Sequence, residues 1–189
     1  VYRDVSLLRL LRGSQMTAIA YKDGILATDS LLNEDGYVLD LVQKVRVIGV
    51  NDQVWLIATS GEVGNYTKIA DFLEDFILQD KEGGRDEPLT EEEFIRRISR
   101  EYEVECEAAS GSVLVITPSG RSALFYAKSG FGGIYPPEVR QSLGCTWEYL
   151  RGAMDAGATS REAVALACAT NGSCAWPVKL YKFGIGEFF

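Results

Sequence analysis

Strand-like segments in this chain come in pairs, and helix-like segments come in pairs between them. The first strand pair is "TAIAY" and "ILATD", joined across Lys22-Asp23-Gly24. An Asp-Gly dipeptide supplies the positive φ angles that a tight hairpin turn needs. The second pair, "KVRVIGV" and "QVWLIAT", is rich in β-branched and aromatic residues and flanks Asn51-Asp52, another turn signal. A third pair, "SVLVIT" and "SALFYAK", is joined by "PSGR". The Gly- and Pro-rich passage after it predicts one further strand near Val139–Leu143, and "PVKLYKFG" predicts a last one.

Between the second and third strand pairs the period changes from two to about 3.6. In "GEVGNYTKIADFLEDFILQ", Val63, Tyr66, Ile69, Ala70, Leu73, Phe76 and Ile77 recur at spacings of three and four, which puts them on one helix face. Thr90 and Glu93 have the spacing of a capping box before "EEEFIRRISREYEVE", with Phe94, Ile98 and Tyr102 on its apolar side. A second helix pair follows the third hairpin: "WEYLRGAMDAG", with Thr146 as its expected cap, and "SREAVALACATN", opened by Thr159 and Glu162. Helices segregated in pairs between antiparallel hairpins predict an α+β fold: a four-layer αββα sandwich of two antiparallel sheets flanked by helix pairs. The βαβ alternation of a dinucleotide-binding fold is missing from the pattern.

Composition narrows the chemistry. The 189 residues contain no histidine, which removes Ser-His-Asp and Cys-His hydrolases and imidazole acid–base catalysis together. A hydrolase built from the rest needs a nucleophile activated another way, and a threonine using its own terminal amine as base is one such route. The net charge of −8 disfavours a phosphate-binding surface, so no nucleic-acid partner is expected. No apolar run is long enough to span a bilayer, so no membrane partner is expected either. Cys106, Cys145, Cys168 and Cys174 form no CxxC pair and read as free thiols of a reducing compartment. The sequence shows no phosphate loop and no metal-ligand cluster, and no cofactor is expected.

Residues 1–15, "VYRDVSLLRLLRGSQ", carry three Arg and one Asp ahead of an acidic remainder. The expected organisation is a leader or assembly arm over 1–16 and one domain over 17–189. The segment has two readings, a propeptide or an arm that packs on the domain or on a neighbour.

The order of these segments, with "TAIAYKDGILATD", "KVRVI", "VWLIATSGEVGNYTKIADFL" and the closing "VKLYKF", resembles the proteasome β-subunit and HslV-type peptidase family of amino-terminal nucleophile hydrolases. The resemblance covers nearly the whole chain after Met16. It implies an αββα sandwich with its active site at one open edge between the sheets, a homo-oligomeric ring, and a polypeptide substrate. Thr17 matches the nucleophile; Asp29 and Lys44 match a charged pair behind it, whose ammonium favours deprotonation of the amine and hydroxyl. The turn containing Thr59, Ser60 and Gly61 matches the backbone donors for the tetrahedral intermediate. Cys145 falls where the family has a serine supporting the terminal amine, and Asn171 where it has an aspartate. By its chemistry alone, Cys145 reads instead as a small buried hydrophobe.

Further departures are Met16, where a self-cleaving member has glycine, and an interval from Thr17 to Asp29 about four residues shorter than the family pattern, an even change that preserves side-chain parity. While Met16 is attached, the Thr17 nitrogen is an amide without a basic lone pair. Two functions therefore stand as expectations. One is a threonine-type peptidase, silent until Thr17 is freed. The other is a catalytically silent structural homologue that keeps its leader as an assembly arm. The first implies a cytoplasmic protein and the second a component of a phage particle or another large assembly.

Overall fold

The computed structural model describes residues 17–34, 37–41, 44–50, 53–61, 70–78, 90–105, 111–126, 130–171 and 174–182. The expected leader, Cys106, the Asn51-Asp52 turn and the start of the first helix lie outside them. Strands β1 (Ile19–Lys22) and β2 (Ile25–Thr28) form the opening hairpin. Asp23 and Gly24 take φ of 51° and 75°, the conformation that an Asp-Gly turn was expected to supply. The strands then run β3 (Leu31–Glu34), β4 (Tyr37–Leu41), β5 (Val45–Val50) and β6 (Gln53–Gly61). Helix α1 covers 70–78, and α2 covers Glu91–Glu105. Strands β7 (Gly111–Ile116), β8 (Ser122–Tyr126), β9 (Gly130–Tyr135) and β10 (Gln141–Leu143) precede α3 (Trp147–Asp155), α4 (Ser160–Thr170) and β11 (Lys179–Lys182).

Two antiparallel sheets carry the domain: a four-stranded sheet ordered β10-β1-β2-β11 and a five-stranded sheet ordered β5-β6-β7-β8-β9, with β3-β4 a separate ribbon. Side-chain alternation assigns each strand residue to one of two cores. Between the sheets lie Ile19, Tyr21, Leu26 and Tyr181 from one side and Leu56, Ala58, Leu114, Ile116 and Leu124 from the other. Their neighbours in sequence, Trp55, Ile57, Val113, Val115, Ala123 and Phe125, face outward and are covered by Ala70, Leu73 and Ile77 of α1 and Phe94, Ile95 and Ile98 of α2. On the opposite outer face Ala18, Ala20 and Ala27 meet Leu150 and Met154 of α3 and Ala163, Val164 and Ala167 of α4. The result is the αββα sandwich that the strand and helix pairing predicts.

Local chemistry fixes the helix ends. Thr90 and Glu93 satisfy each other's backbone N–H groups at α2, and Thr159 and Glu162 do the same at α4, so both expected capping boxes are present. Thr146 stands at the N-cap of α3, but its side chain makes no cap hydrogen bond. At the other end of α3, Lys22 Nζ donates to the Met154 and Ala158 carbonyls at 3.2 and 2.8 Å, tying β1 to the helix terminus where a cation is favoured. Two features were not anticipated. The β3–β4 hairpin follows β2 directly, and β9 occupies the Gly-rich passage before Pro136. The further strand expected near Val139–Leu143 is β10, which pairs with β1.

Candidate functional site

The site grows from the start of β1. Leaving the strand toward the N-terminus, the alternation that sends Ile19 and Tyr21 between the sheets sends Ala18 to the helix side, where it is fully buried. The same parity places Thr17 on the inter-sheet side, so Ala18, a poor register marker in the sequence, is what shows the register. The β1–β2 register, Ile19 opposite Thr28, then brings Asp29 beside Ala18. The two exchange hydrogen bonds: Asp29 N donates to the Ala18 carbonyl at 3.1 Å, and Ala18 N donates to Asp29 Oδ1 at 2.9 Å.

Asp29 is fully buried and is met by Lys44, which immediately precedes β5. Lys44 Nζ donates to Asp29 Oδ1 at 2.8 Å and to Oδ2 at 3.0 Å. Lys44 is itself only 7% exposed, so this is an internal ion pair, not a surface one. The backbone of Lys44 is fixed as well, its carbonyl accepting the Thr59 N–H at 3.1 Å. Thr59 lies on β6 two residues before Gly61. One continuous set of contacts therefore links Ala18, Asp29, Lys44 and the end of β6.

Cys145 approaches Thr17 from the other flank. It sits between β10 and α3, directly after Gly144, whose φ is +97°. Gly144 leaves no room for a side chain: a Cβ there would overlap the Thr17 carbonyl oxygen and lie 2.5 Å from the carbonyl carbon. This close approach seats Thr17 against the β10–α3 corner. The thiol of Cys145 has its pKa raised by burial, opposed chiefly by the Thr17 backbone N–H directed at it. Cys145 follows directly on the glycine that packs against the Thr17 backbone. The Cys145 residue is nonetheless solvent-exposed, which corrects its reading as a buried hydrophobe.

The remaining candidates serve the frame. Gly61 ends β6 opposite Gly111 of β7, with φ of 145° and 149° respectively. A Cβ on Gly111 would come 2.5 Å from the Ser60 carbonyl oxygen, so this end of the ribbon needs glycine for backbone proximity. Residues 62–69, through which an expected donor turn would enter the first helix, lie outside the described residues. Asn171 is the C-cap of α4: its N–H donates to Ala167 O at 2.8 Å and its carbonyl accepts from Cys174 N at 3.1 Å.

Two thiols near the site had no signal in the sequence. Burial, reinforced by the Asp29 charge, pushes Cys168 up to about 11 and Cys174 up to about 12, so both are protonated at neutral pH. Ser30, also fully buried, donates its hydroxyl to the Pro177 carbonyl at 2.7 Å and anchors the β2 end to the segment leading into β11.

Chemically, the cluster offers a threonine at a chain corner, a carboxylate–ammonium pair one residue behind its nitrogen, and a thiol at the adjoining β10–α3 corner. The nitrogen itself is an amide wherever Met16 precedes it.

No family model and no curated protein matches the chain. Solved structures do. Anbu from Hyphomicrobium sp. strain MC1 aligns over 91% of this chain and 84% of its own with a TM-score of 0.65 and 13% identity. A Gly-1 mutant of Anbu from the same strain aligns over 92% and 84% with a TM-score of 0.66 and 12% identity. The chain therefore shares its fold with these Anbu structures. This corrects the family resemblance read from the sequence: membership of the proteasome β-subunit and HslV-type peptidases is not sustained, and what is shown is a distant relationship of fold to Anbu. The physical reason is that the quoted motifs are mostly the alternation and turn residues that any αββα sandwich of this order requires, so they specify architecture more than descent.

Proposed function

We propose that the domain beginning at Thr17 is an amino-terminal-threonine peptidase, active only when Thr17 is the first residue. In that form the Thr17 α-amine takes the hydroxyl proton, Oγ1 adds to the scissile carbonyl carbon, and the proton passes to the departing amine. Water then hydrolyses the resulting ester. The observation that carries the reading is the convergence of the Ala18 N–H and the Lys44 ammonium on the buried Asp29 carboxylate, next to Thr17. A positive charge held there favours the neutral amine and the alkoxide. The Cys145 thiol would orient the freed amine in place of a hydroxyl. Gly61 and its β6 neighbours would face the developing oxyanion, and Asn171 would hold the α4 end against the site. Polypeptide is the substrate class, presented inside a homo-oligomer.

A second reading has an observation of its own. Thr17 is only 5% exposed, and residue 171 is an uncharged helix cap. Both suit a silent structural homologue that keeps residues 1–16 as an assembly arm.

Intact mass of the protein from its native source, followed by a fluorogenic peptide assay, separates the two. The peptidase reading expects a species beginning at Thr17 that hydrolyses peptide, with loss of activity in Thr17→Ala. A mass that retains residues 1–16, or activity unchanged by Thr17→Ala, overturns it.

A further inference from the structure

A second concave feature lies away from Thr17. On α2, Glu92, Arg96, Ser99 and Arg100 recur at helical spacing along one face. Opposite them stand Arg121, leading into β8, and Phe131 and Ile134 of β9, and the two walls line an open cleft of about 490 Å³. The cleft lies on the outer, helix-covered side of the five-stranded sheet at its β9 edge, where Phe131 stands opposite Phe125 and Ile134 opposite Ala123, whereas Thr17 leads into β1 of the other sheet.

The charge balance of the cleft runs against that of the chain. The whole protein carries −8, yet among the described lining residues three arginines face a single carboxylate. Glu92 is shared, with Arg96 at 2.8 Å and Arg121 at 3.5 Å. Among the described residues no acid pairs with Arg100. The floor is apolar and fixed: Phe131 packs on Phe125 with ring centroids 5.4 Å apart. Guanidinium forks match carboxylate and phosphate oxygens, and an apolar floor strengthens such contacts by excluding water.

We propose that this cleft binds a small organic anion, with its carboxylate or phosphate on the guanidinium groups of Arg100 and its neighbours and its apolar body on Phe131 and Ile134. The site is independent of the Thr17 chemistry.

Calorimetric titration of the full chain with phenyl phosphate, benzoate, inorganic phosphate and benzyl alcohol tests it. Phenyl phosphate or benzoate should bind more tightly than either the bare anion or the neutral aromatic. Arg100→Gln should weaken binding about 10-fold, the size expected for one charge-assisted hydrogen bond. Arg100→Lys should fall between, and added salt should weaken all anion binding. Because Arg100 is exposed, the unliganded melting temperature of either variant should match the wild type. The proposal fails if the aromatic anions do not bind, if they bind no better than benzyl alcohol, or if Arg100→Gln and Arg121→Gln both leave affinity unchanged.

Discussion

Replacing Asp29 by asparagine isolates the electrostatic core of the site. The amide keeps the size of the side chain and an oxygen able to accept from Ala18 N, but it strips the charge facing Lys44. In the folded protein the side chains of Asp29 and Lys44 are 0% and 6% exposed, with 2.8 Å between Oδ1 and Nζ. Removing one partner of a buried pair leaves the other charge desolvated, which costs about 3–5 kcal/mol. For a chain of this length that corresponds to a fall in melting temperature of roughly 6–20 °C. Adding Lys44→Met removes the stranded ammonium and replaces it with an apolar chain of similar length, so the double variant should recover most of the loss. Urea denaturation of wild type, both single variants and the double variant measures this as a coupling free energy. If Asp29→Asn costs less than about 1 kcal/mol, or the double variant simply sums the singles, the pair is not a desolvated unit and the reasoning fails.

Gly144→Ala should be strongly destabilising, by about 3 kcal/mol or more, because it combines a left-handed φ with collision against the Thr17 carbonyl. A melting temperature within error of wild type would show that the β10–α3 corner yields. Alkaline pH should destabilise the fold. Cys174 titrates near 9.0 when unfolded but is pushed up to about 12 by burial, and Tyr21 moves from 10.0 to about 12 for the same reason. The folded state therefore holds protons that the unfolded state releases, and stability falls as pH rises from about 9 toward 12. Cys174→Ala should flatten the lower part of that fall in a pH series of urea midpoints, and an unchanged profile would count against it. Thr159→Ala, which removes the α4 capping box, should cost about 1 kcal/mol by the same assay.

The sandwich was legible because each of its layers leaves a periodic mark. Trp55, Leu56, Ile57 and Ala58 alternate between two cores, and such a run has few other uses than a strand covered on both faces. What escaped reading escaped for local reasons. The β3–β4 hairpin carries an Asp35-Gly36 dipeptide, the same signal as the opening turn, but its strands lack the apolar alternation that drew notice elsewhere. Strand β9 is glycine-rich at an irregular pairing: it meets β8 with a register shift between Leu124 and Phe125, and Gly133 there takes φ of 138°, which side chains rarely adopt. Glycine used for backbone conformation looks, in one dimension, like a loop.

The site divides along the same line. Asp29 and Lys44 could be picked out because each adjoins a strand, although β2 and β5 lie in different sheets and only the packing of those sheets brings the two together. Cys168 and Cys174 could not, since their nearness to Asp29 depends on how α4 and the segment after it fold back over the sheet. Asn171 is placed by the resemblance at a charged position, and its backbone also ends α4. The packing that brings Asp29 and Lys44 together is that of the folded domain itself, so the pair is held beside Thr17 whether or not Thr17 ever becomes an amine. Its presence alone therefore does not distinguish an enzyme from its structural descendant; the state of the bond between Met16 and Thr17 does.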